Sequence, residues 1–252
     1  MARKNDTAPA HETLEEIDGF FDRLADWTAE NSTLVWGLVG AVLVVALILS
    51  LADVFSTAAR EEAAEAVGPA QAGYLEAMGA SGLTATFNEP ANPDAARATR
   101  EKYAAEIEAA AEAHPGSAAA AAGYLEVAEI RERLGEPDAA LAALRRAVEA
   151  ADSGSALQAL ALVRLAVELE ASDPAEASRT FERAAEIGDY PGANTALAHA
   201  ARTSLDAGET DRALALFATL ESRAEDTFLG TDAAAPYVMA RLREARAAAA
   251  SE

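Results

Sequence analysis

Three histidines are the only side chains of this 252-residue chain with an ordinary pKa near neutrality, and each stands alone. His11, His114 and His199 have no second histidine at metal-ligand spacing, so the sequence offers neither a zinc centre nor an imidazole pair. His114 precedes Pro115-Gly116, where a cationic ring is favoured at a helix C-terminus, and the other two read as surface or capping residues. The adjacent carboxylates Glu15-Glu16 and Glu61-Glu62 could be imagined as acid and base, but neighbours on a helix point about 100° apart. They read as solvated helix faces. The chain has no cysteine, which excludes disulfides, iron–sulfur clusters and thiolate zinc sites. No glycine-rich phosphate loop follows a strand, and no serine sits in a strand–turn–helix elbow. The expectation is therefore of a protein that is not an enzyme and carries no cofactor, metal site or small-molecule substrate. The chemistry left is non-covalent recognition, and its candidates are Leu125, Glu129, Glu132, Val163, Val167, Ala198 and Arg202.

Those residues matter because of the elements that carry them. The segments "RLGEPDAALAALRRAVEAA", "EASDPAEASRTFERAAEI" and "DAGETDRALALFATLESR" align at Gly135, Ser172 and Gly208, with spacings of 37 and 36 residues. In that register Ala140, Ala177 and Ala213 coincide, then Leu144, Phe181 and Phe217, then Ala147, Ala184 and Leu220. A turn, a small residue, a large apolar residue four later and another apolar three after that describe one face of a helix. Another apolar-periodic helix precedes each turn. Its inward residues are Tyr124, Val127, Ala128 and Leu134 in the first unit and Leu197, Ala200, Ala201 and Leu205 in the third. The second unit fits with a slip of one residue, through Leu162, Leu165, Ala166 and Leu169. Three helix–turn–helix units of about 36 residues approach the tetratricopeptide period of about 34. Their alanines sit where the two helices of a hairpin come closest. In tetratricopeptide folds the first helix of each pair lines a groove, which is where the seven candidates fall; each either faces that groove or packs between neighbouring repeats.

Flanking segments read as diverged helices: 57–78, with a break near Gly68-Pro69, and 93–114, resembling a repeat's second helix. Between them "GASGLTATFNEPAN" reads as a loop, and "APYVMARLREARAAAA" as the helix that closes the apolar end of the stack.

The run from Thr33 to Ala52 holds six Leu, five Val, one Ile and no charge. At about 1.5 Å per residue it spans roughly 30 Å, the hydrocarbon thickness of a bilayer. Ser56-Thr57-Ala58 carries small residues of the kind a signal peptidase reads, but the segment ahead is acidic and the apolar run exceeds the roughly 7 to 15 residues of a signal core. The expectation is an uncleaved signal anchor. Arg3, Lys4 and Arg23 precede it and only Arg60 closely follows, which places the N-terminus in the cytoplasm and the repeats outside. Ahead of the span, Leu14, Ile17, Phe21, Leu24 and Trp27 make an amphipathic helix for lipid or a cytoplasmic protein. Within it, Gly37/Ala41 and Ala46/Ser50 are small-residue pairs that let another helix approach. The net charge of -22 repels nucleic acid and anionic lipid headgroups.

The expected architecture is all-α: an acidic cytoplasmic head over residues 1–32, a transmembrane helix over 33–52, an outward helix and loop over 53–92, and a tetratricopeptide-like helical-hairpin solenoid with its capping helix over 93–252. The order of "LEEIDGFFDRL", one span, an outward helix, "KYAAE", "GYLEVAEI", "LGEPDAALAAL" and a terminal helix resembles the bacterial ancillary SecYEG translocon subunit family. The resemblance covers residues 14 to about 246. It implies a periplasmic repeat domain that associates with the Sec translocon and a membrane-anchored periplasmic chaperone, and that helps newly exported clients. Departures are the loop at 79–92, the acidity and the irregular second repeat. A second reading uses the same groove for fixed partners, as an envelope scaffold in cell division, cell-wall synthesis or outer-membrane assembly.

Overall fold

The computed structural model describes residues 56–79, 92–225 and 236–249. The head, the apolar run of 33–52, residues 80–91 of the loop and residues 226–235 lie outside the described residues. Nine helices and no strand are found among those described. They are α1 (56–77), α2 (Pro93–Ala113), α3 (Ala118–Leu134), α4 (Pro137–Ala150), α5 (Ala156–Leu169), α6 (Pro174–Ala185), α7 (Ala193–Asp206), α8 (Thr210–Glu225) and α9 (Pro236–Ala249). No described helix is long and apolar enough to cross a membrane.

Local chemistry sets the helix limits. Asn92, Ser117, Ser155 and Asp173 each accept a backbone N–H from the first turn of the helix they precede, satisfying donors that the helix leaves open. Proline opens α2, α4 and α6, where its missing N–H costs nothing. Helix α1 does not break at Gly68-Pro69: helical backbone runs from 56 through 77. Gly68 has no Cβ to clash with the Pro69 ring, which removes one obstacle to helical backbone before a proline, while Pro69 still forfeits the bond to the Glu65 carbonyl.

Consecutive helices pack as antiparallel-style hairpins, α3 on α4, α5 on α6 and α7 on α8, and each hairpin contacts the next. The seam is the one the repeat register gives. Ala140, Ala177 and Ala213 are completely buried, as are Leu144, Phe181 and Phe217 to within 1 %. Ala147, Ala184 and Leu220 close the same face. On the first helices Tyr124, Val127, Leu162, Leu165, Leu197 and Ala200 are buried, and Leu205 is half-buried. Between α6 and α7 the approach is close enough for the Ser178 hydroxyl to donate to the Ala200 carbonyl at 2.8 Å, with the Ser204 hydroxyl 2.7 Å away.

The slip in the second unit has a backbone cause. Ala128 to Ala140 and Ala201 to Ala213 are 12 residues apart, whereas Ala166 to Ala177 are 11. The two longer turns contain Gly135 (φ 77°) and Gly208 (φ 79°), left-handed residues that end a helix and add a step. The second turn has no glycine and no residue of positive φ; Asp173 N–H instead bonds the Leu169 carbonyl at 2.7 Å.

Helix α1 belongs to the repeat core. Val67, Tyr74 and Met78 are buried in the same cluster as α2 and α3, and residues from Ala59 onward fall in one compact unit. The packed domain thus begins within α1 and not at residue 93. Gly123 marks where three helices converge, since a Cβ there would lie 3.1 Å from Val67 and 3.3 Å from Ile107. At the other end α9 buries Val238, Met239 and Leu242 against α7 and α8, closing the stack.

Gly135→Ala and Gly208→Ala should each cost about 1 kcal/mol, because alanine is strained in the left-handed region. Ser172→Ala, at the right-handed turn, should change stability by less than about 0.5 kcal/mol. Ala177→Leu should cost about 1–3 kcal/mol by forcing α5 and α6 apart. Urea unfolding of the full chain followed by circular dichroism checks all four.

Candidate functional site

The first helices contact one another along one side of the stack, α3 with α5 and α7 with α9, with α1 joining them through Tyr74 and Leu75. Side chains that a helix cannot bury against its own partner or its neighbours must stay on this side. Among the described residues the exposed large apolar side chains are Leu75 (38 %), Leu160 (44 %), Val167 (51 %) and Tyr237 (72 %). They lie on α1, α5 and α9, and none lies on a second helix. Of these, Leu75 and Leu160 come together in one cleft.

A cleft of about 270 Å³ opens among α1, α3 and α5. Helix α1 contributes Tyr74 and Leu75; α3 contributes Leu125, Glu126, Glu129, Ile130 and Arg133; α5 contributes Leu160 and Arg164. Of the seven expected groove residues, Leu125 and Glu129 line this cleft. Glu132 and Val163 flank it, with Glu132 holding Arg164 at 3.1 Å and Val163 packed against the core. Val167 is on the open face of α5, two turns beyond Leu160. Ala198 is a correction: it is 2 % exposed and offers no surface. Helix α7 contacts α6, α8 and α9 and is buried on nearly every side, so the register that places Leu125 and Glu129 in the cleft places Ala198 in the packed interior. Arg202 is likewise committed, with its side chain 15 % exposed and bound to Glu170 and to Asp206 at 3.0 Å.

Glu126, Ile130, Arg133 and Arg164 also line the cleft outside the seven expected residues, and three apolar residues were missed with them. Tyr74 and Leu75 lie on a helix read as an outward extension of the span. Leu160 falls outside the buried stripe Leu162–Leu165–Leu169, and a leucine off the core face was the signal available for it.

Charges along this side form a ladder. Glu132 of α3 binds Arg164 of α5; Glu170, capping α5, binds Arg202 of α7; and Asp206, ending α7, binds Arg241 of α9 at 2.9 Å. Half-exposed pairs of this kind are each worth about 0.2–1 kcal/mol, enough to favour one register between first helices but not to hold the stack. Burial raises the Glu126 carboxyl above its ordinary value; the Gln71 amide opposes the shift and Glu129 adds to it. Burial also raises Glu168, helped by the charge and hydrogen bond of Glu132 and opposed by Arg164. His199 is neither superficial nor capping, which corrects the expectation. It stacks on Phe181 with ring centroids 5.3 Å apart, and burial, then Arg202, lowers its pKa. A neutral ring fits that place. His114 does end α2 as its C-cap, and Glu61 and Glu62 are exposed on α1. Among the described residues, no three His, Asp or Glu side chains are gathered so as to hold a metal ion.

A carboxyl raised by folding binds its proton more tightly in the native state, so its contribution to stability is present below the unfolded-state pKa and is lost as pH rises through the folded-state pKa. Glu126→Gln should therefore unfold at a higher temperature than the parent chain at pH 7. The gain should disappear as pH is lowered past 4.5, the ordinary value for glutamate. Thermal melts across that range check it. No protein-family model and no curated protein matches the chain.

Proposed function

We propose that the chain is a membrane-anchored adaptor that docks partner proteins through the open side of its first helices. The reading is carried by one observation: the exposed Leu75, Leu160 and Val167 lie on first helices, two of them beside a cleft with an apolar floor. Apolar side chains at helical or alternate spacing, rimmed by charge, suit a partner's helix or an extended segment. The uninterrupted apolar run at 33–52 supports an anchor, and the basic residues ahead of it support a cytoplasmic N-terminus with the repeats outside the membrane. The resemblance of the part order to the ancillary SecYEG translocon subunit family supports partners at the Sec translocon, a periplasmic chaperone and exported clients. Tetratricopeptide-like pairing is supported by the repeat period and the alternation of hairpins.

A photo-reactive phenylalanine analogue placed at Leu160 in cells should form adducts with a small set of proteins, among them Sec translocon subunits. The same group at exposed Arg179, on second helix α6, should give none of them. Adducts limited to division or cell-wall proteins would replace the export assignment with the scaffold one, and identical adducts from both positions would overturn the groove. Leu75→Asp with Leu160→Asp should cut co-purification of the partners at least about tenfold, equivalent to about 1.4 kcal/mol. Protease added to intact spheroplasts should digest the repeat domain.

A further inference from the structure

Resting on the groove reading above, we infer that the segment the α1–α3–α5 cleft receives is apolar and cationic: a leucine-rich stretch of another polypeptide whose lysine or arginine reaches Glu126. The argument is a charge balance within the lining. Arg133 is held by Glu129 at 2.6 Å, and Arg164 by Glu132 at 3.1 Å, so both arginines of the cleft already have carboxylates. Glu126 has no cation among the described ion pairs; its polar neighbour is the Gln71 amide. It is half-buried and lines the same cleft as Tyr74 of α1 and Leu160 of α5. A carboxylate withdrawn from water without a cation is less stable than one that is paired, and an incoming ammonium or guanidinium group supplies the missing charge where screening is weak.

The apolar surfaces of Leu75 and Leu160 exclude a purely polar ligand, since it would cover them without gaining from their burial. An acidic or phosphorylated segment would place like charge against Glu126. A second copy of this chain is disfavoured on the same ground, because each copy carries a net charge of -22. Long-range attraction to the whole acidic surface would accelerate encounter, while Glu126 gives the cleft a local preference.

The test uses the full chain in nanodiscs of zwitterionic lipid at physiological salt, which screens distant charges, with empty discs as blank. The probes are two labelled amphipathic peptides with leucines on one face, flanked by lysines in one and by glutamates in the other, read by fluorescence anisotropy. The lysine peptide should bind at least about tenfold tighter, a gap of about 1.4 kcal/mol. Glu126→Gln should remove most of that preference, while Glu149→Gln, an exposed carboxylate on α4, should leave it in place. Leu160→Asp should weaken the lysine peptide in either background. If the two peptides bind alike, or if both glutamate variants lose the preference equally, the inference about Glu126 fails while the groove survives through the Leu160 effect. If Leu160→Asp changes nothing, or neither peptide binds, the groove reading fails and the inference with it. Discs in which two chains cross-link through Leu160→Cys would assign the cleft to a second copy and overturn the cationic partner.

Discussion

The repeat domain depends on how closely two helices can lie side by side. At Ala140, Ala177 and Ala213 a methyl group is all that separates the second helix of each pair from the first, and each of these residues is completely buried. Large side chains then fill the layer just beyond, Leu144, Phe181 and Phe217, so that the seam alternates a narrow contact with a wide one. Because alanine also has the best helix propensity, the same residues that permit the approach stabilise the helices that make it. At the N-terminal end, where α1, α2 and α3 converge, glycine at position 123 allows the approach to Val67 and Ile107.

That seam decides where the surplus apolar surface goes. Second helices bury one stripe against their partners and turn a polar face outward. First helices are gripped by their partner and, for α5 and α7, by the second helix of the preceding pair, and what remains is a strip lined by Leu75, Leu125, Leu160 and Val167. The acid–arginine ladder from Glu132 to Arg241 runs along this side and keeps the first helices in register. Matching links lie on the other side, where Arg146 of α4 reaches Glu108 and Glu112 of α2, and Arg223 of α8 donates to the Ala185 carbonyl. The cleft is confined to the N-terminal half because α9 covers α7, so the element that caps the stack also ends the open face.

Much of this was legible in the residues. The spacing of the turns located the buried alanines and aromatics to the residue, since a helix that buries one face must repeat its small and large residues together. The one-residue slip of the second unit was visible as a shift of Leu162, Leu165 and Leu169, but its cause, a turn without a left-handed glycine, needed backbone angles. The groove was legible only where first helices behave alike. On α3 the register gave Leu125 and Glu129, whereas on α7 it gave Ala198, which the packing of three neighbours buries. Glycine before proline reads as a break, and α1 carries Gly68-Pro69 within its helix, so the sequence alone places Tyr74 and Leu75 on an outward helix and not at the site. His199 reads as a surface or capping residue because nothing in its sequence neighbourhood reveals Phe181.

The central claim is that the open side of the first helices is covered by other polypeptides when the protein is in its own membrane. Hydroxyl-radical footprinting, read by mass spectrometry, compares side-chain oxidation in native membranes with that of the purified chain. Protection of Leu75, Leu160 and Val167 in the membrane, with Leu141 on α4 unchanged, is the predicted result. Equal oxidation of the three first-helix residues in both samples would contradict the account.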